Sequence, residues 1–144
     1  MPTQSFRAMF RKLLAADGQG YVGKTIEVFG WVILIEGTAI VLLPHWVASV
    51  LSLPGLSAQA ANYFRLAGML VSGLGMLYVV SGRLNSMGLA FASLLDRPLV
   101  PPVMAVLWYL GIVPGPLALA FSLQDTAGFV WTLHAWRREM QAAS

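Results

Sequence analysis

Glu36, Arg65 and Asp125 are ionisable residues set inside long apolar runs, in WVILIEGTAIVLLP, YFRLAGMLVSGLGMLYVVSG and LALAFSLQDTAGFVW. Two carboxylates and a guanidinium in such surroundings can hold one another, carry a proton or grip the polar group of a ligand. An ionised side chain at the centre of a bilayer costs about 2.5–3.5 kcal/mol on insertion scales, so each of the three needs a reason to be there. Glu36 stands twelve residues beyond Lys24, and Asp125 twelve before Arg137. Both distances are about 18 Å along a helix that rises ~1.5 Å per residue. Arg65 stands eighteen residues before Arg83, about 27 Å on the same scale, and a long arginine side chain can bend back toward the midplane. Depth therefore predicts one intramembrane cluster of Glu36, Arg65 and Asp125, with Gln124 and Tyr78 as further hydrogen-bonding partners. Two readings of that cluster stay open. It is either internal glue that fixes helix register, or a site for a proton, a lipid or a small apolar molecule.

Other site chemistry finds no support. His45 and His134 fall at opposite ends of their apolar runs, and no HxxxH, HxxE or ExxH spacing occurs. Neither a metal site nor a haem between two histidines is expected. The chain has no cysteine, which excludes disulfides, thiol redox chemistry and thiolate ligands. No GxSxG nucleophile pattern occurs either. The residues thus predict no catalytic set and no cofactor, and the reading leans away from an enzyme.

These residues need elements to hold them. Of the 144 residues 58% are hydrophobic and 10% are charged, where soluble domains carry about 25% charged residues. A bilayer is the solvent such a composition asks for, as a single membrane domain over residues 1–144. Residues 1–20 read as an amphipathic helix on the membrane surface, with Phe6, Met9, Phe10, Leu13 and Leu14 on one side and Arg7, Arg11 and Lys12 mostly on the other. The alternative is a solvated terminus. Spans follow at about 26–43, 63–82, 99–113 and 117–136, and the first is expected to be retained rather than cleaved. Between the second and third, Asn85 and Ser86 start a short interfacial helix that Asp96, Arg97 and Pro98 end. Arg83, Asp96 and Arg97 are then candidate cytoplasmic-face residues. Four crossings put every Lys and Arg except Arg65 on one side, and the positive-inside rule makes that side the cytoplasm. The expected fold is all-α: an integral membrane four-helix bundle with both termini inside. Gly68, Ser72 and Gly75 give the second span a small-residue face for close packing, within the bundle or in a homodimer. No basic face with interleaved aromatics predicts nucleic-acid binding.

The succession EGTAIVLLP, RLAGMLVSGLGMLYVVSGR, DRPLVPPVM, PGPLALAFSLQD and a terminal WRR resembles the BphX-like small bacterial membrane proteins, themselves similar in layout to the DoxX-like group. The resemblance runs from about Lys24 to Arg138. It implies a four-helix bundle in a bacterial inner membrane and transfers no catalytic residues. Small size, layout and the glycine-rich second span together predict an accessory or interaction subunit of a membrane assembly. The alternative is a carrier or binder of a small apolar molecule, lipid or proton that uses Glu36, Arg65 and Asp125.

Overall fold

The computed structural model describes residues 5–143, and all regular structure among them is helical. Three helical stretches are long and apolar enough to cross a membrane: Tyr21–Leu42, Ala58–Arg83 and Met87–Tyr109. Their flanks expose large side chains throughout, Leu70 at 72% and Ile35 at 66% among them. Apolar surface on this scale suits the lipid of a multi-pass membrane protein. A fourth long helix, Gly115–Ala143, carries Gln124 and Asp125 within its apolar part and is not among these three.

Helix α1 (Phe6–Ala15) starts at Ser5, whose hydroxyl accepts from the Ala8 N–H, and ends at Ala16 in the left-handed region. It buries no residue, and Phe6 and Phe10 stack on its open side. The expected amphipathic segment is therefore a ten-residue helix, and its first four positions, 1–4, lie outside the described residues. Helix α2 (Tyr21–Leu42) follows, then the short α3 (Pro44–Val50), opened by proline at a position that needs no N–H. Helix α4 (Ala58–Arg83) returns antiparallel to α2; Ser57 caps its start.

The α2–α4 contact organises the fold. Gly23, Gly30 and Gly37 recur every seven residues on α2, as do Gly68, Gly75 and Gly82 on α4. A seven-residue step drifts only about 20° around a helix, so each trio forms one straight stripe. The stripes face each other in antiparallel register. A Cβ on Gly30 would lie 2.6 Å from the Val79 nitrogen and 2.9 Å from the Gly75 carbonyl oxygen, and one on Gly75 would lie 2.7 Å from Leu34 Cα. Gly37 meets Gly68 and Ser72 in the same way, and Gly23 meets Gly82. Backbone thus packs directly on backbone, an approach only glycine permits. The small residues expected to serve the bundle or a second copy are seated against α2 within the chain.

Beyond α4 the structure departs from expectation. Helix α5 (Met87–Asp96) does not stop at Asp96–Arg97–Pro98. It passes through one 3-10 turn, Arg97–Leu99, into α6 (Val100–Tyr109), so the third span begins at Met87 and not at Leu99. The prolines explain the turn. Pro101 has no N–H for the Arg97 carbonyl, and the Val100 N–H takes that oxygen in the tighter i→i+3 pattern. The chain breaks instead at residues 110–114, where Gly111 adopts φ +69°, and α7 (Gly115–Ala143) runs back alongside α2 and α6.

One end of the molecule gathers the cations. Arg83 Nε donates to Glu27 Oε1 at 2.7 Å, and Arg83 Nη1 donates to the Leu13 carbonyl, which ties α1 to α4. Asn85 accepts from the Gly20 N–H and donates to the Gly18 carbonyl. Glu139 of α7 accepts from the Val22 N–H at 3.0 Å and so caps the first turn of α2. Lys24, Arg137 and Arg138 lie on the same two helix ends; this is the basic end below.

Candidate functional site: a buried arginine and a polar-capped cavity

Ten residues into the third span, or about 15 Å of helix from Met87, Arg97 points into the core with 1% of its surface exposed. Sequence reading places it on the cytoplasmic face; the structure corrects this, because the span starts a helix earlier and the 3-10 turn swings the side chain inward. Its guanidinium carbon sits 3.7 Å from the centroid of the Phe29 ring and 5.5 Å from that of Tyr78. Cation–π attraction replaces part of the lost hydration. Gly128 makes the room, since a Cβ there would lie 2.8 Å from Arg97 Nη1. Nη1 donates to Thr132 Oγ1 at 3.1 Å, while Nε and Nη2 have no hydrogen-bond partner among the described residues. Thr132 is fully buried, and its hydroxyl also meets Thr25 Oγ1 at 3.1 Å. Thr25 in turn donates to the Val22 carbonyl at 2.8 Å. A continuous polar thread therefore leads from Arg97 down to the first turn of α2.

Above Arg97, α7 brings Gln124 and Asp125 to the level of Glu36. Gln124 Nε2 donates to Glu36 Oε2 at 3.0 Å. Asp125 lies within electrostatic reach of both Arg97 and Glu36, with no direct ion pair to Arg97 among the described residues. Glu36 and Asp125 thus meet at one depth, and Gln124 is the hydrogen-bond partner. Arg65 does not join them. Arg65 stands in the first part of α4, toward the end opposite the basic one, where its Nε donates to the Val41 carbonyl and its Nη1 to Asn62. The cation within electrostatic reach of Asp125 is Arg97, which comes from a different span. Arg83 lies at the basic end, and Asp96 is exposed beside Arg97.

Glu36 and Gln124 also border a cavity of about 180 Å³ between α2, α3, α4 and α7. Ile40, Trp46, Val71 and Phe121 contribute to its otherwise apolar wall. Gln124 occupies one carboxylate oxygen of Glu36, which leaves acceptor capacity for a donor arriving from the cavity. An apolar chamber with one polar corner is the usual form of a small-molecule site. No group of three or more His, Cys, Asp or Glu able to hold a metal occurs among the described residues.

Several participants were hidden from sequence reading. Arg97 was masked by its neighbouring prolines, and Thr25 and Thr132 are unremarkable as residue types. The glycine at position 128 gave no sign of its role. Comparison with models of protein families, with curated proteins and with solved structures returned no match.

Proposed function

We propose that this chain is a multi-pass membrane protein that binds a small, mostly apolar molecule, with one hydrogen-bond-donating group of that molecule held by Glu36 and Gln124. The observation that carries this is the cavity of about 180 Å³, in which a carboxylate is placed in an otherwise apolar wall. An apolar cavity of about 150 Å³ suffices for benzene, so the size class is one ring or a short aliphatic segment. Asp125 and Arg97 form the electrostatic floor beneath the carboxylate.

The chamber supports the binder over the accessory-subunit reading. The glycine face that motivated a subunit role is packed against α2, which removes that support. Four crossings with the basic end in the cytoplasm, and a place in the bacterial inner membrane among BphX-like proteins, belong to this proposal. They rest on the charge distribution and the motif layout of the sequence.

The test uses benzylamine and toluene, which match in ring and differ in the amine. Glu36→Gln is expected to weaken benzylamine binding to the purified protein about tenfold, in line with the loss of a charge-assisted hydrogen bond. Toluene binding should change less than about twofold, since it uses only the apolar wall. Equal loss of both, or of neither, would remove Glu36 from the site.

A further inference from the structure

A second cavity, of about 150 Å³, opens between α2 and α7 at the basic end. Tyr21 and Lys24 from the first turns of α2 line one side, and Trp131, His134 and Arg138 from α7 line the other. The lining is unlike that of the Glu36 chamber: two cations, an imidazole and a phenol converge on one small space. Neither the Lys24 ammonium nor the Arg138 guanidinium has an ion pair or side-chain hydrogen bond among the described residues. The nearby carboxylate of Glu139 is engaged by the Val22 N–H and does not line the cavity.

Placement narrows the ligand. Tyr21 begins a helix that is long and apolar enough to cross a membrane, so the cavity lies where such a helix leaves the hydrocarbon for the headgroup layer. Trp131 beside it is the type of residue that settles at that level. Basic pockets between membrane helices bind anionic headgroups by pairing phosphate oxygens with Lys and Arg. A lysine ammonium, an arginine fork, a tyrosine hydroxyl and a histidine N–H together match the acceptor oxygens of one phosphodiester. We infer that this cavity is a binding site for the phosphate of an anionic membrane lipid. The site is separate from the Glu36 chamber and stands or falls independently of it.

Occupancy would also bear on the core. Thr25, on the cavity wall, is hydrogen-bonded to Thr132 and through it to Arg97. A lipid clamped between α2 and α7 would hold together the two helices that bury the arginine.

The purified full chain in neutral detergent is titrated with dioleoylphosphatidylglycerol, with dioleoylphosphatidylcholine and with inorganic phosphate, and thermal unfolding is followed. A ligand that binds only the folded state raises its unfolding temperature. The anionic lipid is expected to raise it by about 3 °C or more, and the zwitterionic lipid by less than about 1 °C. Lys24→Gln and Arg138→Gln should each reduce the shift, and the double variant should abolish it. Arg137→Gln, one residue from the lining, should retain it. The inference is overturned if the two lipids act alike, or if Arg137→Gln loses as much as Arg138→Gln, which would indicate diffuse basic attraction. Inorganic phosphate reproducing the full shift would overturn it as well, by giving the cavity to a free anion. The single variants, which alter exposed side chains at helix ends, decide the matter even if the double variant folds poorly.

Discussion

Gly75→Ala is expected to destabilise the protein by about 1–3 kcal/mol, the usual cost of forcing one extra methyl group into a closed contact. The new Cβ would collide with the backbone of α2 at Leu34, where no side chain can rotate aside. The two helices would have to separate along their whole shared stripe. Gly73→Ala, two residues away, is the control: a Cβ there meets nothing within 4 Å. That change should be neutral or stabilise slightly, because alanine favours helix by up to about 1 kcal/mol over glycine. Gly30 and Gly75 occupy one station, each built Cβ lying 2.9 Å from the other's carbonyl oxygen. The double variant should therefore cost clearly less than the sum of the singles, since the first methyl already parts the helices. Reversible unfolding in detergent for the four variants checks this. Equal effects at positions 73 and 75 would contradict the packing described.

Arg97 yields the second large effect. Arg97→Met keeps much of the volume and removes the charge, and is expected to cost about 1–3 kcal/mol, the usual cost of removing one partner of a buried hydrogen bond. The loss has identifiable parts. The Phe29 and Tyr78 faces lose their cation, Thr132 loses a donor, and Asp125 loses the positive charge within its reach. If Arg97 and Asp125 balance each other, Arg97→Met with Asp125→Asn should recover at least about 1 kcal/mol relative to the sum of the single effects. Asp96→Asn offers the comparison, because Asp96 is adjacent in sequence and exposed. Full additivity of Arg97→Met and Asp125→Asn would show that the arginine is held by its rings and Thr132 alone.

The helical class and the first two spans were legible because long apolar runs admit little else, while the third was placed too late along the chain. Glu36 and Asp125, on two unbroken helices, lie within electrostatic reach of each other. Arg65 and Arg97 lie elsewhere than expected. Arg65 was brought to the same level by bending its long side chain toward the midplane, but its Nε and Nη1 donate to the Val41 carbonyl and to Asn62, close to the end where α2 stops. Asp96, Arg97 and Pro98 read as the end of a short interfacial helix because Pro98, Pro101 and Pro102 look like punctuation. A single 3-10 turn carries the helical path through them and turns the arginine inward. The glycine register is legible as two seven-residue series, one on each helix, whereas four-residue spacing on the second span alone shows only Gly68 and Ser72. Other contacts had no local signal. Glu139 and Val22 are joined across 117 positions, and Thr25 and Thr132 across 107; only the tertiary arrangement brings them together.

The chamber beside Glu36 is the centre of this account, and Trp46 in its wall is a built-in reporter. With the other four of the five tryptophans replaced by phenylalanine, Trp46 fluorescence is titrated with benzylamine, with and without Ala120→Phe, which fills the chamber from α7. The account predicts a saturable change that weakens at least about tenfold when the chamber is filled. A change that rises without saturation, and equally in both proteins, would contradict it.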